Sequence, residues 1–130
     1  MVWVEVFAVL IVSHLVGDFV FQTEWQATHK HGGLGADSTK RRALAAHLTT
    51  YTLAFAPAFV WLAITQGVVT VAVAAVVVIP HLVQDDGRLV ALWLTRVKRT
   101  PSTDNELVFL AVDQSFHATV LLGAALLAVA

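Results

Sequence analysis

The chain has 130 residues, of which 58% are hydrophobic and only 13% are charged, and its formal net charge is −1. With a mean hydropathy of +0.75, it is too apolar for a soluble domain of this length, so the composition indicates a membrane protein. The near-neutral charge gives no reason to expect nucleic-acid binding. The chain contains no cysteine, which excludes disulfides, thiolate metal sites and cysteine nucleophiles.

The first hydrophobic segment, residues 2–21, is predicted to be a transmembrane helix that the mature protein keeps. It lacks the basic start and the small-residue cleavage site of a signal peptide. Similar segments follow at residues 43–64, 67–94 and 107–129. Each is long enough to cross about 30 Å of hydrocarbon, which takes roughly 20 helical residues. The sequence therefore predicts a single domain over residues 1–130, an all-α bundle of four transmembrane helices.

The connections between the predicted spans differ in length. Residues 23–42 are polar and glycine-rich and are predicted to form a loop that begins with an amphipathic turn at the membrane surface. Residues 65–67 (TQG) form a minimal turn, which makes the second and third helices an antiparallel hairpin. Residues 95–106 form a second long loop. Three of its residues are candidate caps for the last helix: Ser102, Thr103 and Asp104.

All eight basic residues fall in or beside the two long connections. The positive-inside rule makes these loops, the first and the third, cytoplasmic. Both termini and the short turn would then face outward. The chain is therefore expected to be a multi-pass protein of the cell inner (cytoplasmic) membrane. The basic residues are Lys30, Lys40, Arg41, Arg42, Arg88, Arg96, Lys98 and Arg99.

Three of the four predicted spans carry a histidine and an aspartate four residues apart, which places both side chains on one helix face. The second span carries a histidine without an aspartate. At 1.5 Å per residue, all seven residues lie on the order of 6 to 20 Å below the cytoplasmic boundary. They are His14, Asp18, His47, His81, Asp85, Asp113 and His117.

Ionisable groups inside a membrane are costly and usually face the bundle interior. A single His/Asp pair could be a hydrogen bond between helices, but three pairs and an extra histidine at one depth favour a shared site. Near this depth the spans offer Arg88 at the rim as a basic group, so a divalent cation is the expected compensation. Imidazole and carboxylate ligands suit Zn²⁺ first, and Fe or Mn second. Seven candidates exceed the four ligands of one tetrahedral zinc, which leaves two metals, or one metal with supporting residues.

Other polar residues extend this candidate site. Asp18, Asp85 and Asp113 are the candidate catalytic carboxylates, as general base or metal ligand. His29 and His31 form a His-x-His pair in a glycine-rich loop and are interpreted as solvated. The candidate supporting residues are Gln22, Tyr51, Arg88 and Gln114.

Four short motifs in chain order carry a family resemblance. They read HLVGDFVFQ, then a second-span histidine in LAAHLTTY, then HLVQD, then DQSFH. Together they resemble a family of small bacterial and phage membrane proteins known as domain of unknown function 3307. The resemblance covers all four predicted spans. It implies that these polar residues belong together, and it implies no reaction.

Three functions remain open at this point. The first is a metal-dependent hydrolase or transferase acting on a lipid-borne substrate, with membrane lipids as partners and homo-oligomerisation possible. The second is a divalent metal ion or proton transporter, because His-x-x-x-Asp pairs on facing helices resemble the zinc site of cation-diffusion transporters. Against transport, the outer half of each span lacks polar residues. The third is a haem protein with histidine axial ligands, although such a haem needs no carboxylates.

Overall fold

The computed structural model describes residues 1–100 and 105–130, and in these ranges the chain is helical with no β-strand. The helix order follows the predicted spans, but two of the spans are broken. The helices are α1 (Trp3–Leu15), α2 (Glu24–His29), α3 (Ser38–Ala54), α4 (Ala56–Gln66), α5 (Val69–Asp85), α6 (Arg88–Arg96) and α7 (Glu106–Ala128), and a π-helical turn (Val16–Val20) continues α1.

Two to four helical segments are long and apolar enough to cross a membrane. Trp3–Val20 and Glu106–Ala128 qualify alone, and two bent helix pairs qualify if each pair counts as one span. The surface is apolar as well. Ile64 is 80% exposed, Val68 83% and Leu107 77%. Such side chains, combined with a polar interior, are what a lipid-facing bundle presents.

The second predicted span, residues 43–64, is two helices rather than one. Helix α3 begins five residues earlier than predicted, because Oδ1 of Asp37 accepts hydrogen bonds from the backbone N–H groups of Thr39 and Lys40 at 2.9 and 3.1 Å. The N–H of Lys40 holds the pKa of this carboxyl below its ordinary value. The break lies at Phe55, just before Pro57 in the first turn of α4, and the two helices meet at a bend of 48°.

The third predicted span, residues 67–94, ends early. Helix α5 stops at Asp85, and Gly87 adopts a left-handed conformation with φ of 81°, which turns α6 by 66° away from α5. Helix α6 is amphipathic: Val90 and Leu94 are buried, while Trp93 is 43% exposed. Its nine residues form a short helix that is separated from α5 by this bend.

The first loop folds back onto this bend. The amphipathic turn predicted at its start is the short helix α2. Thr23 and Gln26 form a capping box at the N-terminus of this helix. The loop is then tied to the α5–α6 break, because Asp86 accepts hydrogen bonds from the N–H groups of Gly32 and Leu34, both at 2.8 Å. The glycine-rich segment is therefore packed against the helices.

The bundle has an apolar half and a polar half. At the end near the termini and the 65–67 turn, the core consists of apolar side chains from α1, α3, α4, α5 and α7. Helix α7 begins after Asn105, whose Oδ1 accepts hydrogen bonds from the N–H groups of Leu107 and Val108. The caps predicted at residues 102–104 lie outside the described residues. The buried histidines and aspartates lie at the other end of the core.

Candidate metal centre

The structure brings all seven predicted His and Asp residues into one cluster, with contributions from α1 and its π-turn, α3, α5 and α7. Six of them are at most 4% exposed, and the Asp113 side chain is 13% exposed. The π-turn carries Gly17 and Asp18. A Cβ on Gly17 would lie 2.7 Å from Cδ2 of Tyr51, so glycine is what allows α1 and α3 to approach closely here.

Four side chains form the most compact group of the cluster, which we call the central quartet: Asp18, His47, His81 and Asp85. Nε2 of His47 lies 2.6 Å from Oδ2 of Asp85 and 3.2 Å from Oδ1 of Asp18. Nε2 of His81 lies 3.2 Å from the same Asp85 oxygen and 3.6 Å from the same Asp18 oxygen. Ligand atoms around a tetrahedral zinc are separated by about 3.4 Å, given bonds of about 2.1 Å. Three of these four distances lie near that value, and the 2.6 Å contact between His47 and Asp85 would have to lengthen for both atoms to bind one ion.

The quartet leaves one carboxylate oxygen without a hydrogen-bond donor. Nε2 of His47 and Nε2 of His81 face each other at 3.1 Å, and both lie within 3.2 Å of Oδ2 of Asp85, to which their N–H groups can donate. Oδ1 of Asp18 is buried and accepts no hydrogen bond of good geometry. A buried carboxylate oxygen without a donor is costly. A cation between these atoms would satisfy all of them.

A second group adjoins the quartet through Asp85. Its Oδ1 lies 3.1 Å from Nε2 of His117, while its Oδ2 belongs to the quartet. Oδ2 of Asp113 lies 3.5 Å from the same His117 nitrogen. A carboxylate that presents one oxygen to each of two neighbouring groups is suited to bridge two cations.

His14 is hydrogen-bonded through both ring nitrogens. Gln114 must direct its amide nitrogen toward the carboxylates of Asp18 and Asp113, at 3.2 and 3.3 Å, so its Oε1 accepts from Nε2 of His14 at 2.9 Å. Nδ1 of His14 then accepts a hydrogen bond from the Tyr51 hydroxyl at 3.0 Å. Although His14 lies within ligand distance of His81 and His117, this bonding favours an orienting role over direct metal binding.

The predicted supporting residues divide into two sets. Tyr51 and Gln114 touch the cluster, and the Tyr51 ring also stacks on His81 with ring centroids 3.4 Å apart. Gln22 reaches it indirectly, through Lys30. The described contacts of Arg88 lie instead outside the cluster. Its side chain is 61% exposed and contacts Asp86 and the Gly32 carbonyl.

Lys30 is the residue of the cluster that sequence reasoning missed. The sequence identifies Lys30 only as a basic loop residue that indicates topology. In the structure it is 7% exposed, and its Nζ donates to Oδ2 of Asp85 at 2.7 Å and to Oε1 of Gln22 at 2.6 Å. Because Lys30 lies in a loop and not in a helix, no periodicity of the sequence predicts that its side chain reaches the cluster. Lys30 introduces a positive charge at the depth where the sequence predicted none apart from Arg88.

A small cavity of about 180 Å³ reaches the cluster from the loop side. Asp18 and Asp113 line it, whereas Asp85 does not. A ligand entering from the loop side would therefore meet these two carboxylates first. The other polar residues along its wall are Gln22, Lys30, His31 and Gln114.

Comparison with known proteins identifies a family and no characterised relative. The family described as "Protein of unknown function (DUF3307)" matches residues 6–130, nearly the whole chain and all seven clustered residues. No curated protein matches the chain, and no solved structure matches it.

Proposed function

The chain belongs to the DUF3307 family, and we propose that this member is a four-span membrane protein whose His/Asp cluster binds one or two divalent metal ions. In this arrangement α3 with α4 forms the second span, and α5 with α6 as its surface end forms the third. The two long loops are cytoplasmic and both termini face outward, because the eight basic residues lie on the loop side.

The charge of the cluster is the observation that carries the metal proposal. Three carboxylates and one ammonium group, from Asp18, Asp85, Asp113 and Lys30, give a formal charge of −2 when the imidazoles are neutral. An uncompensated charge of this size in a membrane interior is very costly. One divalent ion neutralises it, and neutral imidazoles are the form that binds metal. Zn²⁺ is the ion that the spacing of the quartet and its ligand types suit best.

The residues of the cluster would then take different roles. The central quartet holds the metal, and His117 with Asp85 and Asp113 offers a second position. His14, Tyr51 and Gln114 orient the ligands through their hydrogen bonds, which resemble the supporting contacts of known metal sites. Lys30 fixes Asp85 from the loop side.

We further propose that the centre performs hydrolysis or a related transfer on a lipid-borne substrate. An ion at the second position, held by only three protein residues, would keep an open coordination position and would supply Lewis acidity to an acyl or phosphoryl group. In hydrolysis, the oxygen of a water molecule forms the new bond to that group while Asp113 accepts the water proton. The ester oxygen leaves and takes a proton back from the same carboxyl. Asp113 is suited to this role because it lines the cavity, whereas Asp85 is enclosed.

The apolar half of the bundle is unfavourable for ion transport, which is the alternative function. Beyond the cluster, among the described residues, the core is formed by side chains such as Leu10, Phe55, Val73 and Leu121, with Thr70 as the buried polar group. An ion leaving the cluster outward would cross this apolar layer. The haem alternative fits poorly as well, since the facing nitrogens of His47 and His81, 3.1 Å apart, leave no space for a porphyrin between them.

Two variants test the catalytic half of the proposal. Protein reconstituted with Zn²⁺ into vesicles of a mixed polar-lipid extract is incubated, and the lipids are compared by mass spectrometry before and after. We expect the wild-type protein to convert one lipid class, and Asp113→Asn to keep at least one equivalent of metal but lose the conversion. Glu5→Gln, the same carboxyl-to-amide change at an exposed residue in the apolar half of the bundle, is the matched control and should behave as wild type. Metal-loaded wild type that alters no lipid, or that carries Zn²⁺ across the vesicle membrane, contradicts the catalytic proposal.

A further inference from the structure

A larger cavity of about 790 Å³ adjoins the small one on the loop side. The two cavities share part of their lining, including His31, Phe109 and Leu110. They follow one another along α7: Glu106 borders the larger cavity, and Asp113 borders the smaller one. A ligand anchored in the larger cavity can therefore extend along α7 toward the carboxylates of the cluster.

The polar wall of the larger cavity carries two cationic side chains. Lys40 and Arg88 line it together with His31. The Arg88 guanidinium lies 3.4 Å from the Gly32 carbonyl, and Nζ of Lys40 lies 3.6 Å from the position that a Cβ on Gly32 would take. Both cationic groups therefore lie close to Gly32. Cationic groups converging in this way suit a phosphate, which accepts several charge-assisted hydrogen bonds.

Asp86 and Glu106 balance the formal charge of this wall, so a phosphate would depend on the placement of the cationic groups and not on net charge. Asp86 is already bonded, to Arg88 at 3.2 Å and to the Leu34 N–H at 2.8 Å. Glu106 is exposed at the start of α7. The contact of Arg88 with Asp86 is made through Nε, so it does not use the terminal guanidinium nitrogens.

The position of this cavity matches the headgroup layer of a membrane. The short helices α2 and α6 flank it, and each exposes a tryptophan, Trp25 and Trp93, both 43% exposed. Tryptophan collects at the membrane interface, and short amphipathic helices lie in its plane. The apolar lining of the cavity, Ala91, Phe109 and Leu110, continues toward exposed apolar side chains such as Leu107. The acyl chains of a bound lipid could pack against this apolar surface.

We propose that this cavity, the headgroup cavity, binds the phosphate of a membrane lipid through Lys40 and Arg88 and presents the lipid to the metal centre. The inference rests on the proposed lipid-directed function, which it deepens by naming a phosphate-bearing substrate class. The proposed ligand is phosphate attached to a lipid. A free phosphate ion would gain nothing from the apolar lining or from the interfacial position of the cavity.

The binding of dioctanoyl phosphatidic acid to the detergent-purified protein tests this inference by calorimetry. Dioctanoylglycerol, which has the same chains without phosphate, and inorganic phosphate are the comparison ligands. We expect Lys40→Gln and Arg88→Gln each to weaken phosphatidic acid binding about fivefold or more, as loss of a charge-assisted contact predicts. Arg96→Gln removes the same charge from an exposed position that lines neither cavity, and it should bind as wild type.

Other results of these binding measurements would overturn the headgroup cavity, the lipid as the source of the phosphate, or the metal centre. Equal binding by the Lys40→Gln, Arg88→Gln and Arg96→Gln variants, or equal binding of dioctanoylglycerol, overturns the headgroup cavity. Displacement of phosphatidic acid by an equal concentration of inorganic phosphate overturns the lipid source. Metal content measured on the same samples separates the two proposals: a wild-type protein that binds phosphatidic acid but holds no metal supports the headgroup cavity and refutes the metal centre.

Discussion

Nζ of Lys30 lies 2.7 Å from Oδ2 of Asp85, although 55 positions separate the two residues in the chain. The loop between α1 and α3 thus places one of its basic residues in the polar cluster. The same Asp85 oxygen lies 2.6 Å from His47. The ammonium group and the proposed metal therefore share one carboxylate, which links the order of the loop to the occupancy of the centre.

Lys30→Met is expected to destabilise the metal-free protein more than the metal-loaded protein. Removing one partner of a buried ion pair leaves a buried charge and costs about 3 kcal/mol or more, and a bound cation replaces part of the lost attraction. Thermal unfolding in detergent, with excess Zn²⁺ or with a chelator, measures both losses. Lys98→Met, which removes an exposed lysine, is the control. An equal loss of stability under both conditions would mean that Lys30 acts independently of metal.

Two glycine substitutions test the close approach of α1 and α3. Gly17→Ala places a Cβ 2.7 Å from the Tyr51 ring, so we expect a loss of about 1 to 3 kcal/mol through overpacking. The ring also stacks on His81, so metal affinity should fall with stability. Gly123→Ala is the matched control inside α7, where a Cβ meets nothing within 4 Å. We expect it to be neutral or to stabilise the helix by up to about 1 kcal/mol. Unfolding midpoints that change equally in both variants would contradict this packing.

The candidate ligands could be predicted from sequence because they follow a helical rule. Residues four apart on one face point the same way, so pairs such as His81 and Asp85 identified the helix face that carries the site. Lys30 follows no such rule, since a loop residue reaches the cluster only through the tertiary fold. The choice between ligand and orienting residue for His14 also needed the structure, because it depends on the bonds of both ring nitrogens.

The breaks in the second and third spans are a different case, since the sequence carried signals for them. Asp86-Gly87 is a turn signal inside the predicted third span, and the glycine there adopts a positive φ. Pro57 marks the break of the second span in the same way. A hydropathy profile does not reveal either break, because α4 continues the apolar stretch of the second predicted span and α6 continues that of the third. The α5–α6 bend also forms part of the wall of the proposed headgroup cavity.

Gln114→Leu is expected to weaken metal binding without unfolding the bundle. Its amide joins His14 to Asp18 and Asp113, and loss of such a supporting contact typically lowers metal affinity by about 10- to 100-fold. Competition with a zinc-binding dye measures the affinity. Ser115→Ala is the neighbouring control, because its hydroxyl bonds only its own helix, at the Ala111 carbonyl. Unchanged affinity in Gln114→Leu would show that the orienting hydrogen bonds have no influence on the metal.

Elemental analysis of the detergent-purified protein tests the central claim, that the buried cluster is a metal centre. We expect one to two equivalents of a divalent metal, with Zn²⁺ first, in the wild type. His81→Ala and Asp85→Asn should each remove at least one equivalent while the protein still inserts and purifies as a helical bundle. His29→Ala, which changes an exposed loop histidine, should keep the full metal content. A wild-type protein without metal after purification in Zn²⁺, or cluster variants that retain as much metal as His29→Ala, would contradict the account.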